Sequence, residues 1–332
     1  ANRWAKPVYD RIERGLIGLM RDTHSGEYPN DVPIDSPTSP KSLTPQTRLE
    51  AGMLLDSLGW TPPDLHDFIP VRSLDDQTLT VSQANPRNSV DPLFYCAKYP
   101  VTVSQYKRFV DDPQGYADES VWHSVVGFDA DGKQQNELGE QAWQWFTKNG
   151  GVQRRPYWWD RPRFGVARRL FPVVGVTWWE AAAYCVWLER HWREYDDTRA
   201  SMEKVFGGNL TLRLPRDEEW LAAAGGDADN RFAWGKTGDD IRSRANTDES
   251  NLRGTSPVCM YPAGTSPRGV MDVSGNVWEW QANLYEKDSS SRALRGGSWS
   301  HAGTYARVAA RDGAHPFIDY QGGGFRVGAF PG

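Results

Sequence analysis

Between Leu294 and Val327 the chain reads LRGGSWSHAGTYARVAARDGAHPFIDYQGGGFRV, and no apolar period of 2 or of 3.6 residues runs through it. A stretch of this length without either period is neither one strand nor one helix. Its two ends are nevertheless strongly specified: two glycines between an arginine and Ser-Trp (Arg295 to Trp299), then Gly-Phe-Arg (Gly324 to Arg326), with Arg307, Ala309, Arg311 and Pro316 between them. Such a chain must fold into a body with much irregular backbone. Glycine permits its sharp turns, aromatic side chains anchor it, and arginines hydrogen-bond several carbonyls at once. The composition agrees, with 16 Trp, 13 Tyr, 12 Phe and 32 Gly in 332 residues.

Charge and cysteine content exclude several classes. The formal charge is -5 and the basic residues are scattered, so no nucleic-acid footprint is present and no nucleic-acid partner is expected. Cys96, Cys185 and Cys259 are too few and too spread for a disulfide framework or a cysteine zinc site, and the settings LFYCAKY and AAAYCVWL suit small buried thiols. No apolar run reaches membrane-spanning length and no signal-peptide pattern opens the chain. The compartment stays undetermined, and a leader or further domains before Ala1 remain open. WGKT at Trp234 to Thr237 ends like a phosphate-binding loop, but Asn230 stands where the first glycine is required.

Along the chain, Trp4, Val8, Ile12, Leu16 and Leu19 predict a helix with one apolar face, followed by a connector rich in Pro, Ser and Asp (GEYPNDVPIDSPTSPKSLTP). A second helix, TPQTRLEAGMLLDSLGW, carries Leu49, Met53 and Leu54 and ends at Gly59. Beyond it the texture changes to short strands and turns. The expected organisation is a helical segment over 1–66 and an α+β domain over 67–332. In that domain VTVSQYKRFVDD predicts a capped helix with Val103, Tyr106, Phe109 and Val110 inward. PVVGVTWWEAAAYCVWLERHW predicts a strand (Val173 to Val176) and a helix capped by Thr177 and Glu180. LRLPRDEEWLAAAGG predicts a strand, a turn at Pro215 and a helix from Asp217 to Gly225, and 111–165 is expected to be a long inserted loop region.

The ordered motifs FPVVGVTWWEAAAYCVWLE, LRLPRDEEWLAAAGG, FAWG, GVMDVSGNVWEW, LRGGSWS and GGGFRVG resemble the formylglycine-generating enzyme, or sulfatase-modifying factor, domain over about 69–332. The resemblance implies a C-type-lectin-like fold rich in irregular loops. Two enzymatic branches of that superfamily place demands this chain does not meet. One needs paired redox cysteines after Gly-Gly-Ser-aromatic, and 300–325 holds no cysteine. The other uses a histidine triad, and His24, His66, His123, His191, His301 and His315 include no pair at helical ligand spacing.

The frame itself is similar to that of variable proteins of diversity-generating retroelements, which present a hypermutated patch near the C-terminus. That resemblance implies a ligand-binding protein, not an enzyme, whose contact residues are Ser300, His301, Ala302, Thr304, Tyr305, Val308, Ala310, Asp312, Gly313, Ala314, Phe317, Ile318, Asp319 and Tyr320. Tyr305, Phe317 and Tyr320 are the expected anchors, and Val308 and Ile318 are those with a core alternative. Mutation at adenines of Asn-type codons cannot yield Lys, Glu, Met, Gln or Trp, and of these only Gln321 occurs between Ser300 and Gly323. The implied partner is a protein or a surface glycan. The alternatives are a formylglycine-generating-type oxidase and an invariant lectin-like binding module. In the resembled enzymes MDVSGNVWEW binds calcium, which maps onto Asp272, the carbonyls of Gly275 and Val277, and Glu279; the alternative is a metal-free turn braced by Trp278 and Trp280. No cofactor is required by this reading, and any calcium would be structural. A second family calcium site would fall at Asn246, Thr247, Ser250 and Leu252, where Ser250 replaces the expected carboxylate.

Overall fold

A computed structural model describes residues 5–22, 43–72, 93–135, 137–206, 209–225, 231–236, 238 and 240–331. Most of the Pro-rich connector, Trp4, His24 and Asn230 lie outside the described residues. Helices α1 (Ala5–Arg21) and α2 (Pro45–Ser57) come first, then strands β1 (Phe68–Val71) and β2 (Phe94–Ala97). Helices α3 (Val103–Asp111) and α4 (Glu119–His123), strands β3 (Gly127–Phe128) and β4 (Gln134–Gln135), and helix α5 (Leu138–Lys148) follow. Next are α6 (Trp178–His191), α7 (Asp196–Met202), β5 (Leu210–Arg213), α8 (Asp217–Ala223) and α9 (Ile241–Arg244). Strands β6 (Trp278–Leu284), β7 (Arg292–Arg295), β8 (Arg311–Ala314), β9 (Gly323–Gly324) and β10 (Gly328–Pro331) complete the chain.

The strands make two sheets. One has the order β1-β2-β10-β5, so that the C-terminal strand lies between elements more than a hundred residues apart in sequence. The other runs β4-β3-β6-β7-β8, with β9 parallel to β6. Helix α6 lies in the main core, where Trp178, Tyr184, Trp187, Tyr106, Phe109, Trp280 and Phe325 are packed with almost no exposure. The mixed α+β class predicted from the sequence is the class observed.

Local signals explain most boundaries. Thr102 with Gln105 and Thr177 with Glu180 form capping boxes at α3 and α6, satisfying first-turn donors that would otherwise be orphaned. Gly59, at φ +79°, follows α2 and donates to the Asp56 carbonyl at 3.0 Å. Three expectations need correction. Residues 173–176 are not a strand: Gly175 turns at φ +72° and only Thr102 and Pro172 form a bridge. Residues 111–165 are not simply a loop, since α4, α5 and the β3–β4 hairpin lie within them. The apolar face of α1 is not the buried one: Val8, Ile12 and Leu19 are exposed, while Ile17 and Met20 point inward.

Helices α1 and α2 share a hydrophobic cluster with the larger body. Ile17, Met20, Ala51 and Leu55 pack with Tyr99, Leu170, Val258, Cys259, Tyr261 and Met271. Arg48, itself buried, crosses this contact: it donates to the Met20 carbonyl at 3.0 Å and the Ser243 carbonyl at 3.1 Å, and also reaches the Met260 carbonyl.

Candidate functional site

The segment 295–326 is built from its frame. Gly296 and Gly297 have φ of +96° and +74°, a region closed to most side chains, and a Cβ on Gly297 would meet the Tyr305 carbonyl at 2.8 Å. Arg295 is buried, pairs with Asp217, and donates to the carbonyls of Val308 at 3.3 Å and Ala310 at 3.1 Å. Trp299 packs against Phe164 and donates its indole N–H to the Gln321 carbonyl at 3.1 Å. Arg326 is fully buried and spans the Ala97, Lys98 and Met271 carbonyls at 2.8–2.9 Å, while pairing with both oxygens of Glu279. Arg311 pairs with Asp217 and lies over the Tyr285 ring. Arg307 plays a smaller part than the other arginines; it is exposed and donates to the Thr304 carbonyl.

Between these anchors the scaffold grips backbone rather than side chains. The His301 carbonyl accepts from Asp248 N–H at 3.0 Å, and Val308 N–H donates to the Arg231 carbonyl at 3.0 Å. Strand β8 pairs with β7 from Arg311 to Ala314. The carbonyls of Pro316, Tyr320 and Gly322 accept from Trp178, Gly175 and Trp278 at 3.0, 3.2 and 2.7 Å. None of these bonds needs a particular side chain in the segment, so they hold its course whatever its exposed positions carry.

Ser300, Ala302, Thr304, Tyr305, Asp312, Phe317 and Ile318 are exposed; Tyr305 and Phe317 are half out in solvent at 50% and 51%. His301, Ala310, Gly313 and Ala314 are half-buried. His301 bonds the Ser298 hydroxyl at 2.8 Å and meets Tyr305 edge-on. Three expected contact residues have other duties. Val308 is a core residue at 1% exposure, packed with Trp220 and Val273, and is corrected from the contact set. Tyr320 is half-buried, with its ring against Gly322 and Gly323. Asp319 is held by Arg154 at 2.9 Å, and Arg154 also pairs with the buried Glu180 at 3.2 Å. Ile318, for which burial was the alternative, is exposed. The Arg154 brace had no sequence signal, because Arg154 and Asp319 are 165 residues apart.

The GVMDVSGNVWEW loop buries two carboxylates, Asp272 and Glu279. Asp272 takes a left-handed φ of +56°, and its Oδ2 is buried without a hydrogen-bond partner. Burial pushes its carboxyl up to about 7, Arg326 opposing and Glu279 reinforcing the shift. Glu279 receives Arg326 and Trp220, but Oε1 accepts only one of these bonds and keeps a free lone pair. At the second loop the Ser250 hydroxyl lies 2.8 Å from Asn246 Oδ1 and 2.7 Å from the Thr247 carbonyl. Burial raises all three thiols, those of Cys96 and Cys259 to about 12 and that of Cys185 further, which keeps them protonated and unreactive. No helix among the described residues is long and apolar enough to cross a membrane.

The sulfatase-modifying factor enzyme 1-like domain matches residues 71–329. The inactive C-alpha-formylglycine-generating enzyme 2 of Bos taurus is 29% identical over 257 residues, 70% of this chain and 76% of that one. The formylglycine-generating enzyme of Streptomyces coelicolor is 30% identical over 278 residues, 70% of this chain and 77% of the relative. Hercynine oxygenase of Mycobacterium tuberculosis is 29% identical over 267 residues, covering 73% of this chain but only 54% of its own length, so the chain spans about half of that relative. Relatives thus carry the names of both enzymes and an inactive protein. Among solved structures, Treponema denticola variable protein 1 aligns with a TM-score of 0.48 at 18% identity, covering 80% of this chain and 95% of its own. The mixed helix-and-sheet fold is that of the sulfatase-modifying factor enzyme 1-like domain, which the motifs resemble. By the extent of the domain match, this chain belongs to the sulfatase-modifying factor enzyme 1-like family.

Proposed function

We propose that this chain is a non-enzymatic ligand-binding protein of the diversity-generating-retroelement type, presenting exposed side chains of 300–318 on a fixed lectin-like backbone to a protein or surface glycan. The observation that carries the reading is the pattern of scaffold bonds to segment backbone, from His301 to Gly322, around exposed Tyr305, Phe317 and Ile318. A surface that must accept many side chains needs such a backbone. Rigid aromatic contacts then supply area at small entropic cost. The absence of cysteine from 300–325, with Cys96, Cys185 and Cys259 buried elsewhere, argues against thiol-based oxidation at this segment. Asp272, the Gly275 and Val277 carbonyls and Glu279 would hold a structural calcium ion, which would neutralise the second buried carboxylate beside Arg326.

The test is randomisation. A library varied at Ser300, Ala302, Thr304, Tyr305, Asp312, Phe317 and Ile318 should keep the parental Tm in most members and yield binders to an arbitrary target protein. Collapse of most members on heating, or turnover of a sulfatase-type cysteine peptide by the copper-loaded parent, overturns the reading. A nearby adenine-mutated template repeat and a reverse transcriptase gene separate a diversified protein from an invariant binding module.

A further inference from the structure

We propose that Asp112, His191 and Glu194 form a binding site for a divalent transition-metal cation, of the Zn2+ type, where helices α3 and α6 end. Asp112 is the C-cap residue of α3, His191 is the last residue of α6, and Glu194 stands three residues on, in the 3-10 turn Trp192–Glu194. One donor atom from each lies within 4.8 Å of the others. An imidazole with two carboxylates suits zinc, cobalt or nickel better than calcium or magnesium, which take oxygen alone. Around a tetrahedral zinc ion, ligand atoms stand about 3.4 Å apart, so the three side chains need only small adjustments to close on one.

The ligands are already supported from behind. Asp112 Oδ2 accepts the Trp187 indole N–H at 2.9 Å and Oδ1 accepts the Gln114 N–H at 2.9 Å. The Trp187 ring also stacks on the imidazole of His191, which is 8% exposed. Such outer contacts fix ligand orientation before metal arrives. His191 Nδ1 and Glu194 Oε1 are already 2.9 Å apart.

The local field favours a cation. Two helix C-termini bring their partial negative charge to this point. Among the described residues neither Asp112 nor Glu194 has a lysine or arginine partner. The nearby bases are engaged elsewhere: Arg108 with Asp197, Lys107 with Asp111, Arg190 with Ser120 and Ser124, and Arg193 over the Trp192 ring. Bound there, the ion would tie the beginning of the 111–165 insertion to the end of the core helix, away from segment 295–326.

The test uses the full chain after chelator treatment. Calorimetry should find a single equivalent of Zn2+ at this site, Tm should rise by roughly 5 °C at about a hundredfold excess over Kd, and Co2+ should develop d–d absorption. Glu194→Gln, at an exposed position, should keep the metal-free Tm and lose all three signals. His123→Gln is the control, because the His123 nitrogens take separate carboxylates, Glu119 at 3.2 Å and Glu140 at 3.6 Å, and it should keep all three signals. The proposal is overturned by a parent chain whose Tm ignores Zn2+, or by binding that survives Glu194→Gln and Asp112→Asn.

Discussion

Arg326 and Glu279 form an ion pair at the centre of the molecule, both at 0% exposure. Removing one partner leaves the other charged and dry, so Arg326→Leu should cost about 3–5 kcal/mol in a denaturant melt. The segment next to it contains residues of two kinds, and single substitutions separate them. Val308→Ala removes buried methyl groups and should cost about 2 kcal/mol, whereas Phe317→Ala, on the surface, should stay within about 0.5 kcal/mol. An equal and large loss for both would mean that Phe317 belongs to the core. Asp272→Asn keeps the left-handed backbone that Asn tolerates but weakens the proposed calcium loop. Added Ca2+ should raise the Tm of the parent chain and leave that of Asp272→Asn nearly unchanged.

Helix α8 shows how an element is fixed by charge. Glu219, in its first turn, accepts two bonds from Arg213 at 2.8 Å and one from the Arg216 backbone at 2.7 Å. Burial pushes its carboxyl up, but the hydrogen bonds and charge of Arg213, with Arg216, outweigh burial and leave it below the ordinary range. A carboxyl lowered on folding contributes stability above its unfolded pKa, near 4.5, and loses it as pH falls through the folded value. Glu219→Gln should therefore lower Tm clearly at pH 7, by on the order of 1–3 kcal/mol of stability, and the gap from the parent should narrow below pH 4. A gap that widens on acidification would contradict the assignment. The ends of such elements were legible in sequence because capping is local: Thr177 and Glu180 are three residues apart. Insertion 111–165 was less legible, because α4 packs against α5 and α6, elements that only the fold brings near.

At the scale of the molecule, the N-terminal helices complete a hydrophobic cluster of the larger body through Ile17, Met20, Ala51 and Leu55. Sequence alone divided the chain near residue 66 on texture. Deleting 1–59 uncovers Tyr99, Leu170 and Val258, and should lower Tm markedly and promote association in light scattering. A truncated chain with the parental Tm would show that this contact contributes little.

Sequence by itself determined the class, the family motifs, the capped helices and the frame of segment 295–326, since each rests on residue types at short separations: glycine where φ is positive, arginine where carbonyls crowd, a hydroxyl three residues before Glu or Gln. It could not decide which face of α1 is buried, that Val308 turns inward while Ile318 turns out, or that Arg154 holds Asp319. Those outcomes depend on which distant surfaces meet. In a stretch without hydrophobic period, only tertiary contacts tell a core methyl group from a surface one.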